Sequence, residues 1–124
     1  MDQVLEAYEE RRRYKREKSF LVGLVNKKLV YIEDISRGGV KLLSAENIGA
    51  PGDRVILDTH LFNDKLDSHI LIKSKIVWVR EIENGYGFYV GLEFIDDSIE
   101  FDNNFKHIWE INNFLLNIRN KFID

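Results

Sequence analysis

Residues 76–94 read Ile76-Val77-Trp78-Val79-Arg80-Glu81-Ile82-Glu83-Asn84-Gly85-Tyr86-Gly87-Phe88-Tyr89-Val90-Gly91-Leu92-Glu93-Phe94. Asn84-Gly85 is the strongest hairpin signal in the chain, because both residues accept the positive φ of a tight turn at little steric cost. Beyond it the residues alternate. Phe88, Val90, Leu92 and Phe94 share one side, and Tyr89, Gly91 and Glu93 the other, which is the period of a strand with one buried face. Ahead of the turn, Ile70 to Ile82 reads as a long strand. Two such strands joined by a short turn are antiparallel.

The same grammar extends upstream. Phe20 to Val25 and Leu29 to Ile32 are β-rich and separated by Asn26-Lys27-Lys28, a hairpin-like break. Val40 to Leu43 follows a pair of glycines. Arg54 to Phe62 alternates, with Val55, Leu57, Thr59 and Leu61 opposed to Arg54, Asp58 and His60, and Asn63-Asp64-Lys65 turns the chain. Short strands at close spacing with polar turns indicate an antiparallel barrel or sandwich.

Downstream the period changes. Phe101, Phe105, Ile108, Ile111, Leu115, Ile118 and Phe122 recur every three or four residues, the mark of an amphipathic helix, with Ser98 as candidate N-cap. This stripe has two readings: a cover for an open end of the barrel, or the seam of a homodimer. The expectation is one mainly β domain over 1–124, with an N-terminal arm (1–18), a β-barrel (19–97) and a C-terminal amphipathic helix (98–124).

The chain has 124 residues, no cysteine and a formal net charge of −3. That length suits one core, and the lack of cysteine suits a reducing cytoplasm. The charged N-terminus does not read as a secretory signal, and no apolar run approaches the ~20 residues of a membrane span. Near-balanced charge argues against a general nucleic-acid binder. His60, His69 and His107 have no ligand-spaced partners, Ser36 has no nearby histidine, and the glycines form no phosphate-binding Walker loop, so neither a metal site nor an enzyme is expected.

Charge is concentrated, however. Arg11, Arg12, Arg13, Lys15, Arg16 and Lys18 crowd the arm. Arg12 and Arg16 share one face whether the backbone is helical or extended. Their planar donor forks match phosphate oxygens or the O6/N7 edge of guanine; alternatively they form exposed pairs such as Glu9 with Arg13. A second cluster is Glu33-Asp34-Ile35-Ser36-Arg37-Gly38-Gly39-Val40. Asp34 can accept two hydrogen bonds, as the N1–H and N2–H edge of guanine requires. Ser36 can serve a phosphate or a neighbouring backbone group. Gly38 and Gly39 can take positive φ and leave no Cβ to obstruct a ligand. The plainer reading is a turn in which Asp34 and Ser36 cap their own backbone.

The pair of motifs, RxxxR as Arg12-Arg13-Tyr14-Lys15-Arg16 and DxSxxG as Asp34-Ile35-Ser36-Arg37-Gly38-Gly39, resembles the PilZ domain, a family of bacterial receptors for cyclic di-GMP. Pro51-Gly52-Asp53-Arg54-Val55, Lys75-Ile76-Val77-Trp78-Val79 and Val90-Gly91-Leu92-Glu93-Phe94 fit the same pattern, so the likeness spans roughly residues 10 to 97. The stretch from Arg16 to Asp34 is short for the family, which shortens the first hairpin and leaves both motifs intact. The resemblance implies a six-stranded antiparallel barrel. It implies phosphate and guanine contacts by Arg12 and Arg16, faced by Asp34, Ser36 and Gly39; Gly38 is not a fixed position of the motif and is a candidate for its backbone only. Arg11 would reach the second molecule of a stacked ligand dimer. Trp78 is either core or, as in some similar proteins, a contact to the nucleotide, and its spacing puts it on one face with Ser74 and Arg80. The ligand expected is cyclic di-GMP, with no cofactor. The arm is expected to be mobile until bound nucleotide draws it to the barrel, changing a surface read by a protein partner. Two rivals stand: a PilZ-like adaptor that binds protein and no nucleotide, and a basic arm that binds nucleic acid or anionic membrane.

Overall fold

The computed structural model describes residues 16–19, 21–60, 69–95 and 99–123. Among these residues seven strands, β1 (Glu17–Lys18), β2 (Val22–Val25), β3 (Lys28–Ser36), β4 (Gly39–Ser44), β5 (Arg54–His60), β6 (His69–Glu81) and β7 (Phe88–Phe94), precede one helix, α1 (Ile99–Ile123). Every pairing is antiparallel. The order β3-β2-β5-β6-β7-β4 returns to β3 through the β3–β4 ladder, which closes a six-stranded barrel. Closure leaves the barrel strands without an open edge.

Two of the expected turns form. Asn26 and Lys27 both take positive φ (52° and 65°), the backbone of a two-residue hairpin whose twist matches its strands. The connection at Asn84-Gly85 is wider than a two-residue turn. It runs from Ile82 to Gly87, contains a 3-10 turn over Glu83–Gly85, and closes with Ile82 N donating to Gly87 O at 2.8 Å.

β3 is longer than the run Leu29–Ile32 because Glu33, Asp34, Ile35 and Ser36 continue it. Its first half pairs β2 and its second half pairs β1, on the same edge. Between those partners Ser19 N donates to Glu33 O (3.0 Å) and Ile32 N to Leu21 O (2.9 Å). The end of the arm is therefore sheet, with Glu17 and Lys18 paired to the outer half of β3. Ser98, the candidate N-cap, lies outside the described residues, as do Phe20, Leu61 and the turn at residues 63–65.

Inside the barrel, Leu21, Val25, Val30, Ile32, Ile35, Val40, Leu42, Leu57, Ile72, Ile76, Val90 and Leu92 are almost wholly buried. The inward set of β5, Val55, Leu57 and Thr59, follows the alternation read from sequence. α1 lays Phe101, Phe105 and Ile108 on one end of this core. Phe94 meets Phe101 and Phe105 edge-to-face at 5.7 and 6.2 Å, and Phe105 continues to Trp109 at 5.6 Å. The apolar stripe thus covers the barrel, with Ile111 and Leu115 continuing the packing begun at Phe101. Among the described residues no helix is long and apolar enough to cross a membrane.

Candidate functional site

Two irregularities in the sheet organise the outer face. Along β3, Val30 and Ile32 point inward, so strict alternation would send Asp34 inward too. A β-bulge intervenes: Ile32 pairs Leu42 and Asp34 pairs Lys41, which makes Glu33 the extra residue. The phase flips, Ile35 enters the core and Asp34 turns out. Along β6 the same event recurs. Ile72, Ser74 and Ile76 point inward, Val77 is the extra residue between Ile76 and Trp78, and Trp78 turns out while Val79 packs on the core. Trp78 therefore shares its face with Arg80 but not with Ser74, which is buried and donates to Ile72 O at 3.2 Å. This corrects the expectation of a common face for all three.

The flipped residues lie in one cross-strand row. Lys18 pairs Asp34, Asp34 pairs Lys41, Lys41 pairs Gly91, and Gly91 pairs Trp78. Directly paired residues in antiparallel strands project from the same face. From Asp34 to Trp78 the row crosses three strand spacings, ~14 Å over the surface. Gly91 has a role of its own here, since a Cβ at that position would run into the Trp78 indole. The ring rests flat enough on the sheet that only glycine fits beneath it.

Arg16 leads into β1 and stands beside this row, its Nη1 3.4 Å from Asp34 Oδ1. Both side chains keep part of their surface in water, 32% and 24%. Arginine and aspartate from the two motifs thus meet on one patch. Lys41 reaches Glu33 Oε1 at 3.6 Å and lies 4.5 Å above the Tyr89 ring, while Arg80 lies over the same ring at 5.0 Å. Three cationic side chains therefore gather here, Lys41 in the row and Arg16 and Arg80 beside it, each already near a carboxylate or an aromatic face.

The glycine-bearing turn behaves partly as the plainer reading foresaw. Ser36 is fully buried, and its hydroxyl donates to Gly39 O at 3.4 Å. Neither Gly38 nor Gly39 takes a positive φ; the glycines that do are Gly49, Gly52, Gly85 and Gly87. That corrects the expectation for this pair: Gly39 opens β4 as extended backbone, where a ladder and not a left-handed turn is required. Gly38 O accepts from Phe94 N at 2.9 Å, which ties the turn to the end of β7.

Of the candidate residues, Arg16, Asp34, Ser36, Gly38 and Gly39 come together, and Trp78 joins them along the row. Arg11 and Arg12, with Arg13 and Lys15, lie outside the described residues. Sequence reading named Lys18 only for its charge and did not single out Lys41 or the flanking Tyr89. The period breaks at both places, since Glu33-Asp34 doubles the polar position between Ile32 and Ile35 and Ile76-Val77-Trp78-Val79 doubles the apolar one, but which residue bulges is fixed by the partner strand's register.

The chain is thus a closed small β-barrel whose outer face gathers arginine, carboxylate, lysine and an indole. Residues 10–108 match the PilZ domain, and the chain belongs to that family. PilZ domains are binding and effector domains, among them bacterial receptors for cyclic di-GMP. The fold is similar to that of the inhibitor of motility (MotI/DgrA) from Bacillus subtilis, with a TM-score of 0.60 and 15% identity over 81% of this chain. The match covers 50% of that protein's chain, so the present chain spans about half its length. No curated protein matches the sequence.

Proposed function

We propose that this chain is a cytoplasmic receptor for cyclic di-GMP, an effector that passes nucleotide occupancy to a protein partner. The observation that carries the reading is the meeting of Arg16 with Asp34 beside the Ser36–Gly39 turn. One guanidinium offers five donors in a fixed fork, so Arg16 can hold Asp34 through one nitrogen and still present N–H groups to a phosphate. The Asp34 carboxylate suits the two adjacent donors on the guanine edge. Arg12 would supply the second phosphate or guanine contact, and Arg11 would engage a second ligand molecule if a stacked dimer binds. Trp78, ~14 Å along the row, offers a face for a base, where stacking is worth ~1–3 kcal/mol.

One observation favours the adaptor reading, in which the barrel binds protein and no nucleotide. The Ser36 hydroxyl is already bonded to Gly39 O and withdrawn from solvent. Calorimetric titration with cyclic di-GMP separates the two. The receptor reading expects saturable binding, and Arg16→Ala should weaken it by ~10- to 100-fold, the loss of a charge-assisted contact. Equal affinity in the variant would remove Arg16 from the site.

A further inference from the structure

α1 is bonded to both halves of the candidate site, and neither bond was foreseen from the two motifs. At the arm, Asn112 Nδ2 donates to the backbone carbonyl of Lys18 at 3.1 Å, a contact between residues 94 positions apart. Asn112 is fully buried. β1 is the outermost strand of the sheet, paired to β3 on one side only. Its outer edge carries carbonyls without strand partners, and Asn112 satisfies one of them next to Arg16. At the turn, Arg37 of the DxSxxG stretch forms an ion pair with Asp102, and its guanidinium lies over the Phe101 and Phe105 rings at 5.3 and 5.7 Å. The Gly38 carbonyl is held in turn by Phe94 N, whose ring packs against the same two phenylalanines.

The two attachments are ten residues apart on α1, ~15 Å of helix. They match the separate places at which the sequence supplies ligand contacts, the arm and the turn. A buried asparagine is a costly choice on a helix face that otherwise buries Phe101, Phe105 and Ile108. A leucine there would pack as well and leave the Lys18 carbonyl without a donor.

We infer that Asn112 and the Arg37–Asp102 pair are positioning residues that set the arm and the turn against each other through α1, so that ligand held at Arg16 and Asp34 tightens the seating of the helix. The inference rests on the receptor reading and adds the route by which occupancy leaves the site. Coupling is reciprocal: if ligand steadies the two attachments, loss of either attachment weakens ligand by the same factor. One hydrogen bond's worth of coupling is a factor of about two to ten.

The test uses the full chain with cyclic di-GMP as probe. Calorimetry measures affinity, and amide hydrogen exchange over residues 105–116 measures the helix, for wild type, Asn112→Leu and Asp102→Ala. The second variant alters an exposed side chain, so it reports even if the buried substitution impairs folding. In wild type, ligand should slow exchange in this segment by about two- to tenfold. Both folded variants should bind by the same factor more weakly and show a smaller slowing. A structural role alone would lower the melting temperature without altering affinity or the ligand response. Normal binding with unchanged helix exchange, or variants that bind as wild type, overturns the inference and leaves the receptor reading standing. A flat wild-type isotherm overturns both.

Discussion

Gly91 and Trp78 show how one residue sets the chemistry available to another. The indole lies across the outer face of β7 at the one position where no Cβ stands in its way. Its partial exposure follows from the Val77 bulge, and its orientation from the glycine. Replacing Gly91 by alanine should push the ring off the sheet or strain the strand, at a cost of ~1–3 kcal/mol. The urea midpoint reads the cost, and Trp78 emission in a Trp109→Phe background reads the ring. Unchanged midpoint and emission would mean that the indole does not rest there. If Trp78 stacks on a base, the same variant should also lose affinity for cyclic di-GMP. Arg16 and Asp34 depend on a comparable detail, because without Glu33 as the extra residue the carboxylate would face Val30 and Ile32 in the core.

Among the elements, α1 carries two functions along its length. Through Ile108 it closes one end of the barrel, and through Asp102 and Asn112 it holds the turn and the arm. Its later residues differ: Phe114 is 63% exposed and Ile118 37%. Ile108→Ala should therefore destabilise the protein by ~2–4 kcal/mol through lost burial and a residual cavity. Phe114→Ala should stay within about 0.5 kcal/mol of wild type. Denaturant titration checks both, with a shifted midpoint and an unchanged slope expected for Ile108→Ala. Equal effects at the two positions would contradict the seating of α1 described above. β3 is the other element with a double role, since its first half belongs to the hairpin with β2 and its second half receives the arm.

At the scale of the whole molecule, closure of the barrel depends on close approach between β2 and β5, which pair at Leu24 and Asp58. A Cβ on Gly23 would stand 2.9 Å from the Asp58 carbonyl oxygen, backbone that cannot swing aside. Gly23→Ala should lower the midpoint of unfolding by an amount equivalent to ~1–3 kcal/mol, and a neutral result would mean that the ladder can shift without cost. Ligand acts on the same folding equilibrium. Cyclic di-GMP at 100 times its Kd should stabilise the native state by ~2.7 kcal/mol, visible as a rise in melting temperature. No rise would favour the adaptor, and an equal rise with arbitrary DNA would favour the basic-arm rival.

The strands, their turns and the helix were legible in the chain because each rests on a local period or a local turn chemistry. Val55-Leu57-Thr59, Val90-Leu92 and the stripe from Phe101 to Ile108 face inward as their spacing requires. The sequence also led one to expect an arginine of the arm beside Asp34, and Arg16 meets it there. What spacing alone did not convey was the direction of Asp34 and Trp78, the strand character of Glu17–Lys18, and the attachment of α1 at Lys18 and Arg37. Each depends on a partner distant in sequence: a bulge exists only relative to the neighbouring strand's register, an edge strand only against the edge it meets, and the Asn112 contact only once 94 positions of chain have folded back on themselves.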